Sequence, residues 1–468
     1  MKIKKKHIAL SLVAVITLSL FSACAEEKVQ FKEFKEYEDY EAFRFYAYMP
    51  PPPANVGTGE LMDNPDYMTD QQYDWIKECG FNYAVSLYEQ THETTIKALR
   101  MFSERGIKFF PQDKFQMRIS DMYNNGITEG AELEAAKAQF DANVQEYLQY
   151  DSFAGIYAAD EPKRDKFDGL AYAQKAFYSF EGTQNSEWWV NLLNSNHDTG
   201  FNTYADYAQA SLSQIGASRL SFDTYPLLVN SRIKALYFND LATMAGVGQI
   251  NETPFDTFVL TMAHWDYRSP ENYDDIAWQV YSAMAFGTRG IEPFCYWTTM
   301  SIGEGIKYGL VDHYGNRTQI WYTFQEVIKE VNSFQHMYMN ADWQGVMKYT
   351  ADEDYPNNCL DIIPKQVKVE DKTQAIVIDS HPVLTKIKSD RDLVVGVFKD
   401  KDQRDAFLVT NITDPDFDKT AEVKLTFKDC NYAMVYKKGR KVLVKLDDGI
   451  LQMNVGSGEG YYVVPFKA

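Results

Sequence analysis

The feature that most constrains the fold is an alternation of strand-like and helix-like segments over about the first 300 residues, a length that suits one barrel domain. Several strand-like segments are continuously apolar, as is typical of parallel strands buried on both faces. The eight predicted strands are Ala42–Pro50, Phe81–Glu89, Ile107–Asp113, Phe153–Asp160, Glu187–Asn194, Arg219–Leu228, Asp256–Trp265 and Arg289–Trp297. Eight strand–helix units predict an α/β fold of the (β/α)8 barrel type.

The segments between these strands carry apolar residues at three- and four-residue spacing, which predicts helices that pack one face on a sheet. The segment Ile320–Phe334 has the same spacing and is predicted to close the barrel. The other predicted helices are Thr69–Cys79, Thr94–Arg105, Ala131–Tyr147, Gly169–Phe180, Tyr204–Ser213 and Tyr273–Phe286.

The pattern changes after Tyr349, where short strands alternate with turns rich in Asp, Gly and Lys. Helical periodicity is weak in this part of the chain, which predicts a small all-β domain, a β-sandwich. The predicted division is therefore a barrel at 41–345 and a sandwich at 365–468.

The N-terminus is predicted to be an export signal at 1–23. Lysines precede the apolar segment Ile8–Phe21, which is too short to cross a bilayer. The sequence Phe21-Ser22-Ala23-Cys24 resembles the bacterial lipobox. That resemblance implies a lipid on Cys24, a tether at 24–40, and an outer-membrane lipoprotein facing the periplasm or the cell surface. A plain secretory signal with a free cysteine is the alternative.

The charge balance excludes two classes of partner. The chain carries a formal net charge of −19, and the predicted signal contains lysines but no acids. A protein with so large a negative net charge is not expected to bind nucleic acid or anionic lipid headgroups. We therefore expect membrane contact through the N-terminal lipid only.

The motifs for metals and cofactors are missing from the sequence. Cys79, Cys295, Cys359 and Cys430 are far apart and form no CxxC pair, and no HxH or HExxH spacing occurs. No glycine-rich phosphate loop follows a predicted strand, and no GxSxG elbow for a serine nucleophile is present. We therefore expect no cofactor and no metal.

Two adjacent carboxylates, Asp160 and Glu161, end the fourth predicted strand, and Pro162 then stops ladder pairing. The carboxyl ends of barrel strands form the face on which barrel enzymes carry their active sites. Two carboxyl groups at such a face are what cleavage of a glycosidic bond requires. The alternative is a turn that caps the next helix.

The other predicted strand ends are acidic, aromatic and amide-bearing, with almost no Lys or Arg. Aromatic faces stack on sugar rings, and carboxylates and amides bind hydroxyl groups, so we expect an oligosaccharide or polysaccharide partner. The candidate catalytic residues are Asp160, Glu161 and Asp223, and the candidate substrate-binding residues are Tyr88, Asn191, Asn194, Tyr225, His264, Trp265, Tyr296 and Trp297. Packing roles for Tyr225 and Trp297, and a loop cap formed by Asp223, are the alternatives.

Three segments resemble known carbohydrate enzymes. Gly155-Ile-Tyr-Ala-Ala-Asp160-Glu161-Pro162 is similar to the YxxDEP segment of many barrel glycoside hydrolases. Gly309–Thr318 resembles the barrel end of glycoside hydrolases related to the family 42 β-galactosidases, and Gly456–Val463 resembles the last strand of the sandwich that often follows such barrels. The resemblance implies hydrolysis of O-glycosidic bonds.

The mechanism implied by the resemblance depends on strand seven. Its end, His264-Trp265-Asp266, lacks the glutamate nucleophile of the large retaining clan. The acidic pair, with Asp and Tyr near strand six and Trp on strand eight, resembles chitinases and β-N-acetylhexosaminidases, which act by substrate assistance.

In that chemistry Glu161 protonates the leaving oxygen, and Asp160 orients a 2-acetamido group whose oxygen attacks C1. Tyr225 then binds the acetamido carbonyl and Trp297 forms the floor of the subsite. One alternative is a two-carboxylate glycosidase, β-galactosidase-like or inverting, that uses Glu161 with Asp223 or Asp266. The other is a non-catalytic glycan-binding surface lipoprotein.

Overall fold

The computed structural model describes residues 34–55, 64–86, 91–230, 232–298, 308–351 and 358–468. The predicted signal peptide, the predicted lipid site Cys24 and the candidate substrate-binding residue Tyr88 lie outside the described residues. In the part of the chain that is described, no helix combines the length and the apolar character needed to span a membrane.

The first part of the chain forms a closed parallel barrel of eight strands. The strands are β1 Arg44–Tyr48, β2 Tyr83–Val85, β3 Lys108–Phe110, β4 Gly155–Asp160, β5 Glu187–Leu192, β6 Leu220–Phe222, β7 Phe255–Leu260 and β8 Gly290–Phe294. Their order in the sheet is β3-β2-β1-β8-β7-β6-β5-β4. The two ends of this series join through a parallel bridge between Phe109 and Phe153, where Ala154 N donates to Phe109 O at 3.0 Å. The predicted (β/α)8 barrel is confirmed.

Nine helices of the described chain surround or follow the barrel strands. They are α1 Asp70–Cys79, α2 His92–Ser103, α3 Lys114–Asn124, α4 Ala131–Tyr147, α5 Phe167–Ser179, α6 Tyr204–Ala210, α7 Tyr237–Asn251, α8 Tyr273–Ala285 and α9 Gln319–Tyr338. The spacing analysis misses α3 and α7. The buried face of α3 is half polar, with Gln116 and Ser120 beside Ile119 and Met122, which weakens its apolar stripe, whereas α7 is buried almost all round and has no stripe.

A buried ionic cluster lies near the amino ends of the strands. Arg219 donates to both carboxylate oxygens of Asp256, at 2.7 and 2.6 Å, and the Tyr46 hydroxyl donates to the same group at 2.7 Å. Arg44 pairs with Glu187 at 2.8 Å across the same end of the barrel. Because these groups are paired inside the protein, removal of one partner leaves an uncompensated buried charge.

The C-terminal part is a β-sandwich, as predicted. Its strands are β9 Ala341–Tyr349, β10 Gln366–Val369, β11 Lys372–Ala375, β12 Leu384–Lys388, β13 Leu393–Asp400, β14 Asp405–Asn411, β15 Ala421–Phe427, β16 Tyr432–Lys437, β17 Arg440–Lys445, β18 Ile450–Val455 and β19 Gly460–Phe466. A six-stranded sheet, β9-β13-β14-β19-β16-β17, faces a three-stranded sheet, β12-β15-β18, and β10 and β11 form a separate hairpin. Because β9 starts at Ala341 and pairs with β13, the sandwich begins before the predicted start at 365.

The sandwich packs directly on the helices that close the barrel. Trp343 Nε1 donates to Ala285 O at 2.9 Å, and the ring of Phe398 lies 5.2 Å from that of Tyr338 on α9. Gly396 allows this approach, because a Cβ at that position would collide with the Ala285 carbonyl. One apolar cluster therefore runs through both parts of the chain.

Replacing Asp256 by Ala should lower the free energy of unfolding by about 3–5 kcal/mol, because Arg219 would be left buried without its partner. Differential scanning calorimetry should show this as a clear fall in Tm. Asp74→Ala is the control, since Asp74 pairs with Arg105 at 2.8 Å but its side chain is 64% exposed. Its cost should be about 1 kcal/mol or less. Equal effects of the two substitutions would contradict the conclusion that the buried pair of Asp256 and Arg219 contributes more to stability than an exposed pair.

Candidate active site

Three carboxyl groups meet at the carboxyl ends of β4 and β6. Asp160 is the last residue of β4, Glu161 follows it, and Asp223 comes directly after β6. The side chains of Glu161 and Asp223 lie close enough that each shifts the pKa of the other. Asp223 is buried, whereas Asp160 and Glu161 keep accessible surface. The structure thus brings the three candidate catalytic residues together at an open mouth.

Asparagine 191 of β5 lies between the two acidic strand ends and fixes Asp160. Its side-chain amide donates to Asp160 Oδ1 at 3.1 Å, and its own oxygen accepts from Ser221 Oγ at 3.2 Å. Ser221 also donates to Glu292 Oε1 at 2.8 Å inside the barrel. This chain of hydrogen bonds holds Asp160 in one orientation. Neither Ser221 nor Glu292 is among the candidate residues predicted from the sequence, because both lie inside strands rather than at their ends.

Glu161 has an unusual backbone conformation. Its φ of 47° lies in the left-handed region, which is unfavourable for a residue with a Cβ. The segment is held by hydrogen bonds on both sides, from Glu161 N to Asn191 O at 2.9 Å and from the Tyr207 hydroxyl to Pro162 O at 2.8 Å. Local strain of this kind is concentrated at functional sites.

Burial is the largest cause of the raised pKa of all three carboxyl groups, but the charges and hydrogen bonds around them differ. Burial raises the pKa of Asp223 well above its usual value, and the charges of Glu161 and Asp160 raise it further. Burial and then the charge of Asp160 raise the pKa of Glu161, whereas the hydrogen bond from Asp223 lowers it. Burial also raises the pKa of Asp160, against the lowering effect of hydrogen bonds from Asn191 and Tyr157. Asp223, the most deeply buried of the three, therefore favours the protonated form most strongly.

Exposure and desolvation coexist at Asp160 and Glu161 because the mouth is concave. Solvent reaches both side chains from above, while protein atoms surround them on the other sides. A ligand that enters the mouth can therefore touch both carboxyl groups and displace the remaining water. Such displacement strengthens every electrostatic interaction in the site.

A buried lysine that the sequence analysis misses lies beside this cluster. Lys234 follows a short hairpin, Leu227–Leu228 with Arg232–Ile233, and its Nζ is 3.3 Å from the Tyr267 hydroxyl. Its charge lowers the pKa of Asp223. Because strand six is predicted to run to Leu228, the hairpin was not predicted. Lys234 lies six residues beyond that predicted end and was therefore not counted among the residues of the mouth. The mouth therefore contains a cation, Lys234, that was not predicted from the sequence.

The aromatic candidates Tyr225 and His264 are buried in the mouth, whereas Trp265 lies at its rim. Tyr225 is buried in the mouth, with ring centroids 5.2 Å from His264, 5.4 Å from Tyr267 and 5.8 Å from Phe294. Burial raises the pKa of Tyr225, and the charges of Asp223, Glu161 and Asp160 raise it further. Burial lowers the pKa of His264, whose Nδ1 lies 3.0 Å from Met262 O.

Trp265 and Trp297 differ strongly in their exposure to solvent. Trp265 is 78% exposed at the rim, with its ring 5.1 Å from His264, and its indole face is free to stack. Trp297 is 1% exposed and packs on Tyr67 at 4.6 Å, and Tyr296 is buried against Phe81 at 5.4 Å. Tyr296 and Trp297 follow β8 and face the helix layer, so the structure does not bring them into the mouth as expected.

The remaining candidates have structural contacts. Asn194 is buried, and its side-chain oxygen accepts from Asn196 N at 3.2 Å, which shapes the loop after β5. Asp266 is exposed, and its carbonyl accepts from Val229 N at 2.9 Å on the far side of the hairpin. Among the residues that the structure describes, no group of His, Cys, Asp and Glu is arranged to hold a metal ion.

Comparisons with known proteins give only distant structural likenesses. No family model and no curated protein matches the sequence. The chain is similar to an α-amylase from Anoxybacillus (10% identity, 91% of this chain and 98% of that chain, TM-score 0.47). It is also similar to a glycoside hydrolase family 30 subfamily 8 xylanase from Clostridium acetobutylicum (10%, 92% and 97%, TM-score 0.43) and to a β-glucuronidase from Ruminococcus gnavus (10%, 63% and 50%, TM-score 0.41). Likenesses this weak give no basis for assigning an activity to this chain.

Replacing Asp223 by Asn should stabilise the protein, and increasingly so as the pH rises above the ordinary pKa of an aspartate. The pKa of Asp223 is raised in the folded state above its ordinary value of 3.8. The folded protein therefore binds more protons than the unfolded chain between these two values, so wild-type stability falls as the pH rises through that window. Asn cannot ionise and therefore avoids this loss of stability, which amounts to about 1.4 kcal/mol for each unit by which folding raises the pKa.

Thermal melting of wild type and Asp223→Asn at several pH values measures the difference. Asp74→Asn is the control for simple removal of a negative charge, because Asp74 lies on the outer surface with its side chain 64% exposed. A Tm difference between wild type and Asp223→Asn that stays constant with pH would contradict the buried, protonated state of Asp223.

Proposed function

We propose that this protein is a glycoside hydrolase, an enzyme that cleaves O-glycosidic bonds in an oligosaccharide or polysaccharide. The observation that carries the proposal is the cluster of Asp160, Glu161 and Asp223 at the carboxyl ends of β4 and β6, where Glu161 and Asp223 shift each other's pKa. Glycosidic cleavage needs a protonated carboxyl group beside the leaving oxygen and a second group that stabilises positive charge at the sugar. A carboxyl group that burial keeps protonated can supply the first, and an ionised carboxylate beside it can supply the second.

A non-catalytic glycan-binding protein is disfavoured by the same cluster. Burying Asp223 next to two other carboxyl groups costs stability, and hydroxyl recognition alone does not require it. Strongly perturbed ionisable groups gathered in a cleft are typical of catalytic sites. The left-handed backbone at Glu161 adds a second unfavourable feature at the same point.

Glu161 is the best placed general acid. Unlike Asp223 it is exposed to the mouth, so a glycosidic oxygen can reach it. A proton on Asp223 can move to Glu161 and then to the leaving oxygen, which leaves on Asp223 a negative charge that Lys234 helps to balance. Asp160, fixed by Asn191, remains free to accept a hydrogen bond from the substrate.

For the mechanism we propose substrate assistance on a 2-acetamido sugar, as in β-N-acetylhexosaminidases. Two catalytic carboxylates lie about 5 Å apart in retaining glycosidases and about 6.5–9.5 Å apart in inverting ones. No glutamate stands at the end of strand seven, and Glu161 and Asp223 are close enough to shift each other's pKa, so neither is set apart as an independent nucleophile. A nucleophile supplied by the substrate itself is consistent with this arrangement.

In this proposal Asp160 binds the acetamido N–H and Tyr225 donates to the acetamido oxygen, since both lie by the cluster. Trp265 is the better candidate for a stacking platform than Trp297, because its indole is exposed. The two-carboxylate alternative would require Glu161 to separate from Asp223 or to act with Asp266. Lipid attachment at Cys24 and an outer-membrane location are also proposals, carried by the sequence alone.

Replacing Glu161 by Gln should lower kcat on the best aryl glycoside by about 100-fold or more, because the proton donor is lost. Release of p-nitrophenol from a panel of α- and β-glycosides measures it, with circular dichroism as the check on folding. Glu181→Gln, on the exposed outer end of the barrel, is the matched control and should keep wild-type activity. Near-normal turnover in Glu161→Gln would remove this residue from the mechanism.

The enzyme should cleave aryl N-acetylhexosaminides and leave the matching 2-hydroxy glycosides almost untouched, because the 2-acetamido oxygen replaces a protein nucleophile. A thiazoline mimic of the cyclised intermediate should inhibit it competitively. Efficient cleavage of a plain glucoside or galactoside, or trapping of a 2-fluoro sugar on an Asp or Glu in a mass-spectrometric digest, would favour the two-carboxylate mechanism instead.

A further inference from the structure

A cavity of about 490 Å³ adjoins the carboxyl cluster on the outer side of β4. Its walls come from the first turns of α3 and from the segment between β4 and α5, and Asp160 and Glu161 form part of its lining. Helices that follow barrel strands begin at the carboxyl-end face, so both walls belong to the mouth. The volume is in the range of pockets that bind small molecules. The cavity therefore extends the candidate active site sideways.

Gln116 lies in the wall of this cavity with an unsatisfied amide. The residue is completely buried, and neither its side-chain oxygen nor its side-chain nitrogen has a hydrogen-bond partner. Buried amides are almost always hydrogen-bonded, because an unpaired donor or acceptor is costly. An exception beside a catalytic cluster points to a partner that arrives with the ligand.

The position of Gln116 in the helix makes its unpaired state more informative. Asp113 caps α3 by accepting from Phe115 N at 2.8 Å and Gln116 N at 3.3 Å. A glutamine three residues after such a cap ordinarily reaches back to the N–H of the capping residue. The Gln116 side chain does not do so, although the turn around it is rigid: Asp113 also accepts from Asn143 and from Tyr147, both at 2.9 Å.

We propose that Gln116 belongs to a second sugar subsite, in which its amide binds a glycosyl unit next to the bond that is cleaved. A primary amide offers two donors and one acceptor, which match an acetamido group or two neighbouring hydroxyl groups of a sugar. Gln116 has no hydrogen bond to lose when it turns toward the cavity, so every bond to the sugar is a net gain. This inference rests on the proposed function and adds to it the residue that holds the glycosyl unit next to the cleaved bond.

The test measures binding in a variant that cannot turn over. Calorimetric titration of Glu161→Gln with N,N′-diacetylchitobiose, cellobiose and the monosaccharide N-acetylglucosamine gives the reference Kd values. Adding Gln116→Met, which keeps the length of the side chain and removes its polar atoms, should raise the Kd of the tighter-binding disaccharide at least tenfold. It should raise the Kd of the monosaccharide less. Gln116→Leu is the second variant, for the case that the first does not fold.

The same variants separate binding from a structural role. Gln116→Met should keep or raise the Tm, because an unpaired buried amide is replaced by an apolar group, whereas a structural amide would lower it. Gln145→Leu on the exposed side of α4 is the control and should leave every Kd unchanged. Disaccharide affinity that is unaffected by Gln116→Met, or absent from the Glu161→Gln reference protein, would overturn the subsite. Gln116-dependent binding without any hydrolysis by wild type would instead reject the glycosidase and leave the subsite in place.

Discussion

The closed ring of hydrogen bonds between parallel strands is the constraint on which the rest of the structure depends. The ring is completed by the contact of Phe109 with Phe153, between the third and fourth strands. An open sheet would leave these two strands as edges and spread their ends apart. Closure instead forces the carboxyl ends of β4, β5 and β6 toward one mouth, so Asp160, Asn191 and Asp223 must lie close together.

The mouth of the barrel is assembled at a cost in stability. Asp223 is buried with a raised pKa, Glu161 is held in a left-handed conformation, and Gln116 has an unpaired amide. Glu161 and Gln116 line the same cavity, and Asp223 lies beside Glu161. Natural proteins place such unfavourable features at functional sites and offset them elsewhere. Here the apolar cluster shared by the barrel and the sandwich is the main source of compensation.

Much of the fold could be predicted because it depends on local periodicity. Each of the eight barrel strands was expected, and most were predicted longer than they are, because apolar residues continue past the last ladder hydrogen bond, as after Leu260. The helix α3 was missed because the polar residues Gln116 and Ser120 interrupt its buried face, and α7 because it is buried almost all round. The sandwich was expected from its short strands, whereas its first strand at Ala341 was hidden by proximity to α9.

The sequence by itself determined which chemistry could reach the mouth of the barrel. Two carboxylates before Pro162 must follow a strand that cannot continue, and parallel strands put such ends on one face. Tertiary structure alone decided which side chains meet there. Glu161 turns toward Asp223, Lys234 reaches the cluster from a hairpin, and Trp297 turns away to pack on Tyr67. Beyond the end of a strand, the direction of a side chain depends on backbone angles and neighbouring loops, which the alternation of residues does not encode.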